Sequence, residues 1–118
     1  MDTVRMIADV RIRDYDGAME ALNRVARLVE ESHPDVLAWD CYFDESGERM
    51  TWFQEHTDQR TLLEYENAVD ELGVLEEIGR SLDIERLVVL GRVTDPDLLE
   101  FFLRFSAVPV ERTFGVSR

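Results

Sequence analysis

Hydrophobic and polar residues alternate over residues 4–13, which is typical of a β-strand with one buried face. The apolar positions of this strand are Val4, Met6, Ala8, Val10 and Ile12. From Asp14 to about Ser32 the apolar residues instead recur every three or four positions, which predicts an amphipathic helix with an acidic N-cap. Pro34 ends this helix, because proline disfavours a helical conformation of the residue before it.

Two more strands are predicted at residues 36–44 and 49–57, and the turn-forming sequence Glu-Ser-Gly-Glu joins them. A loop this short makes the two strands an antiparallel hairpin. Helical spacing of apolar residues follows over residues 59–82, with Thr57 or Asp58 available as the N-cap. Two glycines in this stretch predict its division into two helical pieces; they are Gly73 and Gly79.

The last part of the chain adds a strand, a short helix and a tail. Residues 84–93 are rich in leucine and valine and predict a fourth strand, and residues 108–118 look extended. Asp95 and Pro96 fit the N-cap and first position of a helix that carries three phenylalanines. Leaving three phenylalanines in water would forgo about 5–9 kcal/mol, so this helix must pack against the chain or a partner.

The order of these elements defines a fold class. Two β-α-β halves, at about residues 4–44 and 49–93, are followed by the additional helix. Right-handed connections then produce an α+β, ferredoxin-like fold: a four-stranded antiparallel sheet with two main helices on one face. We expect a single domain over residues 1–118, with the C-terminal helix and tail at about 95–118.

Composition narrows the range of partners. The 118 residues include 26 acidic and 13 basic side chains, all of the latter arginine, for a formal net charge of -13. Neither nucleic acid nor an anionic membrane surface attracts such a chain. No apolar stretch approaches the length of a membrane span, the N-terminus lacks a signal-peptide layout, and there is one cysteine. A cytoplasmic protein is therefore expected.

The face of the sheet away from the helices raises the functional question. We assign to it Arg5, Ile7, Asp9, Arg11 and Arg13 from strand one and Met50, Trp52, Gln54 and His56 from strand three. Residues 36–44 offer bulky apolar side chains to both sides of the sheet. An apolar face without helices favours a second sheet, and the simplest one is a second copy of the chain, so a homodimer is predicted.

His56 is the first candidate for a catalytic base, because it is the one histidine on a predicted strand and its usual pKa is near neutrality. The alternative is a histidine satisfied by a carboxylate such as Asp58 or Glu55. Gln54, on the same strand, needs a polar partner if it is buried or can instead line a cavity.

Aromatic and charged residues supply the other candidates. Trp39, Tyr42 and Trp52 are candidates for an aromatic pocket for a planar ligand; the alternative is packing in the core or at a dimer interface. Asp9 and Arg11 are candidates for orienting a substrate or holding an oxyanion, with a cross-strand or cross-dimer salt bridge as the alternative.

The sequence gives no sign of a metal or a bound cofactor. The acidic clusters lack the spacing of metal ligands, and no glycine-rich phosphate loop or paired-cysteine motif occurs. Cys41 is interpreted as a small buried hydrophobic residue rather than a nucleophile.

The central hairpin resembles that of the antibiotic biosynthesis monooxygenase-like proteins. The resemblance covers residues 36–44, the Glu-Ser-Gly-Glu turn and residues 52–58, where Glu55 and Asp58 match the typical strand ending. His56 and Thr57 stand where an aromatic residue or arginine is commoner. The tail at residues 114–118 resembles the ending of one uncharacterised branch. The resemblance implies a ferredoxin-like fold that dimerises into an α+β barrel, with a pocket between sheet and helices.

The same resemblance implies an activity. Better-known members of the family oxidise phenolic or quinol-like substrates with oxygen and without metal or flavin. The expected function is thus a cofactor-independent monooxygenase that acts on a small aromatic or quinol-type substrate. The alternative is a non-catalytic homodimer of the same fold that binds a small ligand or a protein. The haem-degrading branch is disfavoured, because strand one carries Asp9 but no asparagine and the helix from Gln59 contains no histidine.

Overall fold

Strands and helices follow one another in the predicted order in the computed structural model, which describes residues 3–116. The elements are β1 (Val4–Ile12), α1 (Tyr15–Ser32), β2 (Val36–Phe43), β3 (Arg49–His56), α2 (Gln59–Leu72), α3 (Leu75–Ser81), β4 (Leu82–Leu90) and α4 (Pro96–Leu103). The strands form one sheet in the order β2-β3-β1-β4, with antiparallel neighbours throughout. The α+β, ferredoxin-like fold class is confirmed. No helix in the described part of the chain is long and apolar enough to cross a membrane.

The helices begin where the sequence predicts. The side chain of Asp14 accepts a hydrogen bond from the backbone of α1, and Asp58 and Asp95 do the same for α2 and α4. α2 ends at Gly73, whose φ of 79° lies in the left-handed region that favours glycine. Gly79 lies inside α3, so the prediction that both glycines mark the division was wrong for Gly79.

The C-terminal part packs on the same chain. Leu98 and Phe102 of α4 are buried in the core, which confirms that this apolar helix is not left in water. β4 begins at Leu82, two residues before the predicted start, and ends at Leu90, where a single parallel bridge joins it to Val110 of the tail. The last two residues of the tail motif, Ser117 and Arg118, lie outside the described residues.

Burial is concentrated on one side of the sheet, the covered face, which includes Val4, Met6, Ala8, Val10 and Ile12 of β1. The antiparallel register places Met50, Trp52, Gln54 and His56 opposite Val10, Ala8, Met6 and Val4, on this same face. Their assignment to the uncovered face was therefore wrong. The reason is that both alternating sets of β3 contain a large aromatic residue, so periodicity alone does not choose between them, and a shift of one residue reverses every side chain.

The opposite side of the sheet, the open face, is mixed in character. Phe53, Ile7 and Val88 form a partly exposed apolar row across β3, β1 and β4. Ion pairs surround this row; they join Arg5 to Glu55 at 2.5 Å, Arg11 to Asp83 at 2.8 Å and Arg49 to Glu85 at 2.5 Å. The apolar area of the open face is thus smaller than the sequence assignment implies.

Candidate functional site

A cavity of about 360 Å³ lies between the covered face of the sheet and helices α2, α3 and α4. Most of its wall is apolar, with Trp52 from β3, Phe101 from α4 and Phe105 from the turn after α4 among the larger side chains. Its polar members are Gln54, Tyr65, Glu66 and Asp83. A mostly apolar space with a few polar groups is the usual form of a small-molecule site.

The local sequence explains why these elements form a wall. Tyr65, Glu66 and Val69 are neighbouring positions of α2 that border the cavity. Phe101 lies on α4 and Phe105 lies in the turn that follows this helix, and their ring centroids are 5.4 Å apart. Gly79 of α3 leaves open space, since a Cβ atom added there would meet nothing within 4 Å. Position 79 therefore borders the cavity and has room for a larger side chain.

Polar and aromatic side chains form a connected cluster beside the cavity. The Trp39 indole Nε1–H donates to the Tyr65 hydroxyl at 2.9 Å, and His56 Nε2 is 2.9 Å from Oε1 of Gln54. Ring centroids are 5.5 Å apart for Trp39 and Trp52 and 5.1 Å apart for His56 and Tyr65. The structure thus brings together Trp39, Trp52, Gln54 and His56, four of the residues that the sequence singled out.

His56 is neutral in this environment. Burial, with a smaller contribution from the charge of His33, lowers the pKa of His56 to about 4. Since Oε1 of Gln54 is an acceptor, Nε2 carries the hydrogen and Nδ1 is left as a buried acceptor without a partner among the described residues. His56 is fully buried and stands behind Gln54 rather than in the cavity wall, so it contacts the site through Gln54.

Three other predicted site residues lie on the open face and do not line the cavity. Asp9 and Tyr42 border a shallow depression of about 290 Å³, and Tyr42 is 62% exposed. Arg11 forms its ion pair with Asp83, as the alternative interpretation held. Within one chain, these residues do not share a site with His56, because the sheet separates them.

Glu66 is a site residue that the sequence reasoning missed. Its side chain is partly buried in the cavity wall, and burial raises the pKa of its carboxyl to about 7. The signal was present, because Glu66 stands four positions after Leu62 and three before Val69, both buried. An acidic residue at a core-facing position of an amphipathic helix is unusual enough to single out.

The potential metal ligands and the cysteine of the described residues lie in the following environments. No group of three or more histidine, cysteine, aspartate or glutamate side chains among these described residues could hold a metal ion. Burial raises the pKa of Cys41 to about 12, so its thiol stays protonated, and a protonated thiol is a poor nucleophile.

Comparison with solved structures shows which proteins share this fold. One similar structure is that of MupZ from Pseudomonas fluorescens. The alignment covers 100% of this chain and 96% of MupZ, with 20% identity and a TM-score of 0.73. A second similar structure is that of SnoaB, a cofactor-independent oxygenase from Streptomyces nogalater. The alignment covers 81% of this chain and 99% of SnoaB, with 12% identity and a TM-score of 0.65. A third is a protein from Caulobacter crescentus with the provisional name antibiotic biosynthesis monooxygenase. The alignment covers 79% of this chain and 92% of that protein, with 11% identity and a TM-score of 0.60.

These similarities confirm, at the level of fold, the resemblance found in the central hairpin: the chain has the fold of the antibiotic biosynthesis monooxygenase-like proteins. No protein-family model matches the sequence, and no curated protein matches it significantly.

Proposed function

We propose that the chain is a cofactor-independent monooxygenase that oxidises a small aromatic or quinol-type substrate. The observation that carries this proposal is the cavity between sheet and helices, apolar on most of its wall and bordered by Trp52, Gln54 and Tyr65. Its volume of about 360 Å³ is at the small end of the range for ligand sites, which suits a substrate of two or three fused rings. The fold shared with a cofactor-independent oxygenase supports the same reaction class.

The chemistry requires little from the protein. A substrate with an acidic methylene or hydroxyl group on an electron-rich ring loses a proton, and the anion gives one electron to molecular oxygen. The two radicals combine to a hydroperoxide, and loss of water leaves a carbonyl, so that a methylene group and one molecule of oxygen become a ketone and one molecule of water. A dry pocket, a proton acceptor and groups that stabilise the anion are sufficient. The aromatic wall and the polar side chains of the cavity can supply them.

Oxygen uptake with a panel of anthrones and hydroquinones tests the proposal. We expect turnover by the native chain and a loss of at least about tenfold in Gly79→Leu, because the new side chain has room to enter the cavity and leucine is favoured over glycine in a helix. Glu76→Leu is the matched control, since Glu76 is on the same helix with its side chain 85% exposed. Its turnover should equal that of the native chain.

Two outcomes would contradict the proposal. No oxygen uptake with any member of the panel would exclude this reaction class; saturable binding without uptake would instead favour the non-catalytic ligand-binding function. Unchanged turnover in Gly79→Leu would mean that the reaction occurs elsewhere.

We also propose that the functional unit is a homodimer joined through the open face. The apolar row of Phe53, Ile7 and Val88 supports this, because it lies on the side of the sheet that carries no helix. Charges of both signs around the row can pair with their equivalents across a two-fold axis.

Sedimentation at micromolar concentration tests the dimer. The native chain should sediment as a dimer and Phe53→Lys as a monomer. In the monomer the new lysine is exposed to water next to Asp40, whereas in the dimer its charge would be buried in the interface. Leu103→Lys, at a position 64% exposed on α4, should remain dimeric. A native chain that sediments as a monomer would refute the interface.

A further inference from the structure

We propose that Glu66 is the group that exchanges a proton with the ligand of the cavity: its carboxylate accepts the hydrogen of a phenolic or enolisable group bound next to Tyr65. This inference rests on the proposed function and adds to it a specific residue and a ligand chemistry. It requires an aromatic ligand with an acidic hydrogen, rather than any apolar molecule of suitable size.

The position of Glu66 supports this role. The residue borders the cavity from α2, between the buried side chains of Leu62 and Val69. In the described part of the chain its carboxylate makes no hydrogen bond or ion pair, and Arg60 of the same helix is paired with Glu64 at 3.1 Å. A carboxylate on an apolar wall without a partner has its acceptor capacity free for a ligand.

The surrounding groups leave Glu66 as the one side chain of the wall that changes charge near neutral pH. The phenol of Tyr65 is fully buried and its pKa is raised well above the usual value, so it keeps its proton. Asp83 is ion-paired to Arg11 and Arg13, and the hydrogen bond from Arg11 is the main cause of its lowered pKa. β1 contributes apolar side chains, β3 Trp52 and Gln54, and α3 and α4 apolar residues and Gly79.

Glu66 is also a better proton acceptor than His56. Burial raises the pKa of Glu66 to about 7 and lowers that of His56 to about 4, so Glu66 takes up a proton in preference to His56. A general base works best when its pKa is close to the operating pH. In this proton transfer the phenol becomes a phenolate and the Glu66 carboxylate becomes a carboxylic acid. During oxidation the same proton leaves with the oxygen that departs as water.

Calorimetric binding of 1-naphthol and its methyl ether between pH 5.5 and pH 8.5 tests the assignment without turnover. The two probes have the same rings, but only naphthol can donate a hydrogen bond. Above pH 7 the carboxylate should bind naphthol at least about tenfold more tightly than the ether, because a hydrogen bond to a charged acceptor is strong and the ether leaves the charge desolvated. Below pH 6 the preference should disappear.

Variants on the same helix complete the experiment. Glu66→Gln should bind both probes with no change in preference across the pH range. Glu64→Gln, whose side chain is 57% exposed, should behave as the native chain does. Equal preference for naphthol in the native chain and in Glu66→Gln would overturn the assignment.

The remaining outcomes separate this inference from the proposed function. If neither probe binds the native chain, the cavity is not an aromatic site and both proposals fail. If naphthol binds with the expected dependence on pH and Glu66 but no substrate consumes oxygen, Glu66 stands as the proton-exchanging group and the oxidation fails.

Discussion

Replacing Phe102 by alanine is expected to lower the free energy of unfolding by about 3–5 kcal/mol. Phe102 is fully buried and joins α4 to the core formed by the sheet and the other helices. Truncation removes the transfer free energy of the ring and leaves a cavity that the neighbouring side chains fill only in part. A domain of this size is stabilised by roughly 5–15 kcal/mol, so the variant should be close to its limit of stability.

Urea denaturation of the variant and of Leu103→Ala measures this effect. Leu103 follows Phe102 on α4 but is 64% exposed, so its truncation should change the free energy of unfolding by less than about 0.5 kcal/mol. Equal losses in the two variants would mean that α4 does not dock in the way described. Because Phe101 of this helix and Phe105 just after it border the cavity, Phe102→Ala should also weaken ligand binding.

Glu66→Gln is expected to stabilise the chain at pH 8 by up to about 3 kcal/mol. Burial raises the pKa of Glu66 from its usual 4.5 to about 7, so between these values the folded state holds a proton that the unfolded state has released. The stability of the native chain therefore falls through this window as the pH rises, and the penalty is complete above pH 7. Glutamine carries no such charge.

His56 acts in the opposite sense over an overlapping window. Its pKa falls from 6.5 to about 4 on folding, so between these values the unfolded state binds the extra proton and stability rises with pH. The two slopes nearly cancel in the native chain, which should give a flat profile from about pH 4.5 to 6.5. In Glu66→Gln the contribution of His56 remains alone, and stability should rise by about 1 kcal/mol per pH unit.

Chemical denaturation at half-unit steps from pH 4.5 to 8 distinguishes these profiles. Glu64→Gln serves as the control, because its side chain is exposed and should leave the native profile unchanged. Parallel profiles for the native chain and Glu66→Gln would show that the carboxyl of Glu66 titrates as it does in water.

The fold was accessible from the sequence because its signals are local. Strand alternation over β1, aspartate caps at Asp14, Asp58 and Asp95, and the apolar content of α4 each specify one element without reference to the others. The architecture then follows from the order of elements and the handedness of their connections.

The site was only partly accessible, because it depends on which way β3 faces. Alternation along β3 left two possible faces for Gln54 and His56, and we assigned them to the uncovered one; in the fold they contact each other inside the covered face. This choice placed His56 with Asp9 and Arg11, whereas the register separates them. Glu66 was missed because an acid on a helix is normally a solvated residue, although its spacing from Leu62 and Val69 places it on the buried side of α2.

The edges of the sheet have a further consequence for how the chain behaves at high concentration. A strand at the edge of a sheet offers unpaired backbone groups to other chains. β4 is joined in part by the tail at Val110, whereas the outer side of β2 has no neighbouring strand among the described residues. Two features make β2 a poor template for pairing with a strand of another chain. One is the register irregularity between Val36 and Ala38, and the other is the exposed carboxylate of Asp40. Together with a net charge of -13, these features should resist strand addition and fibril growth.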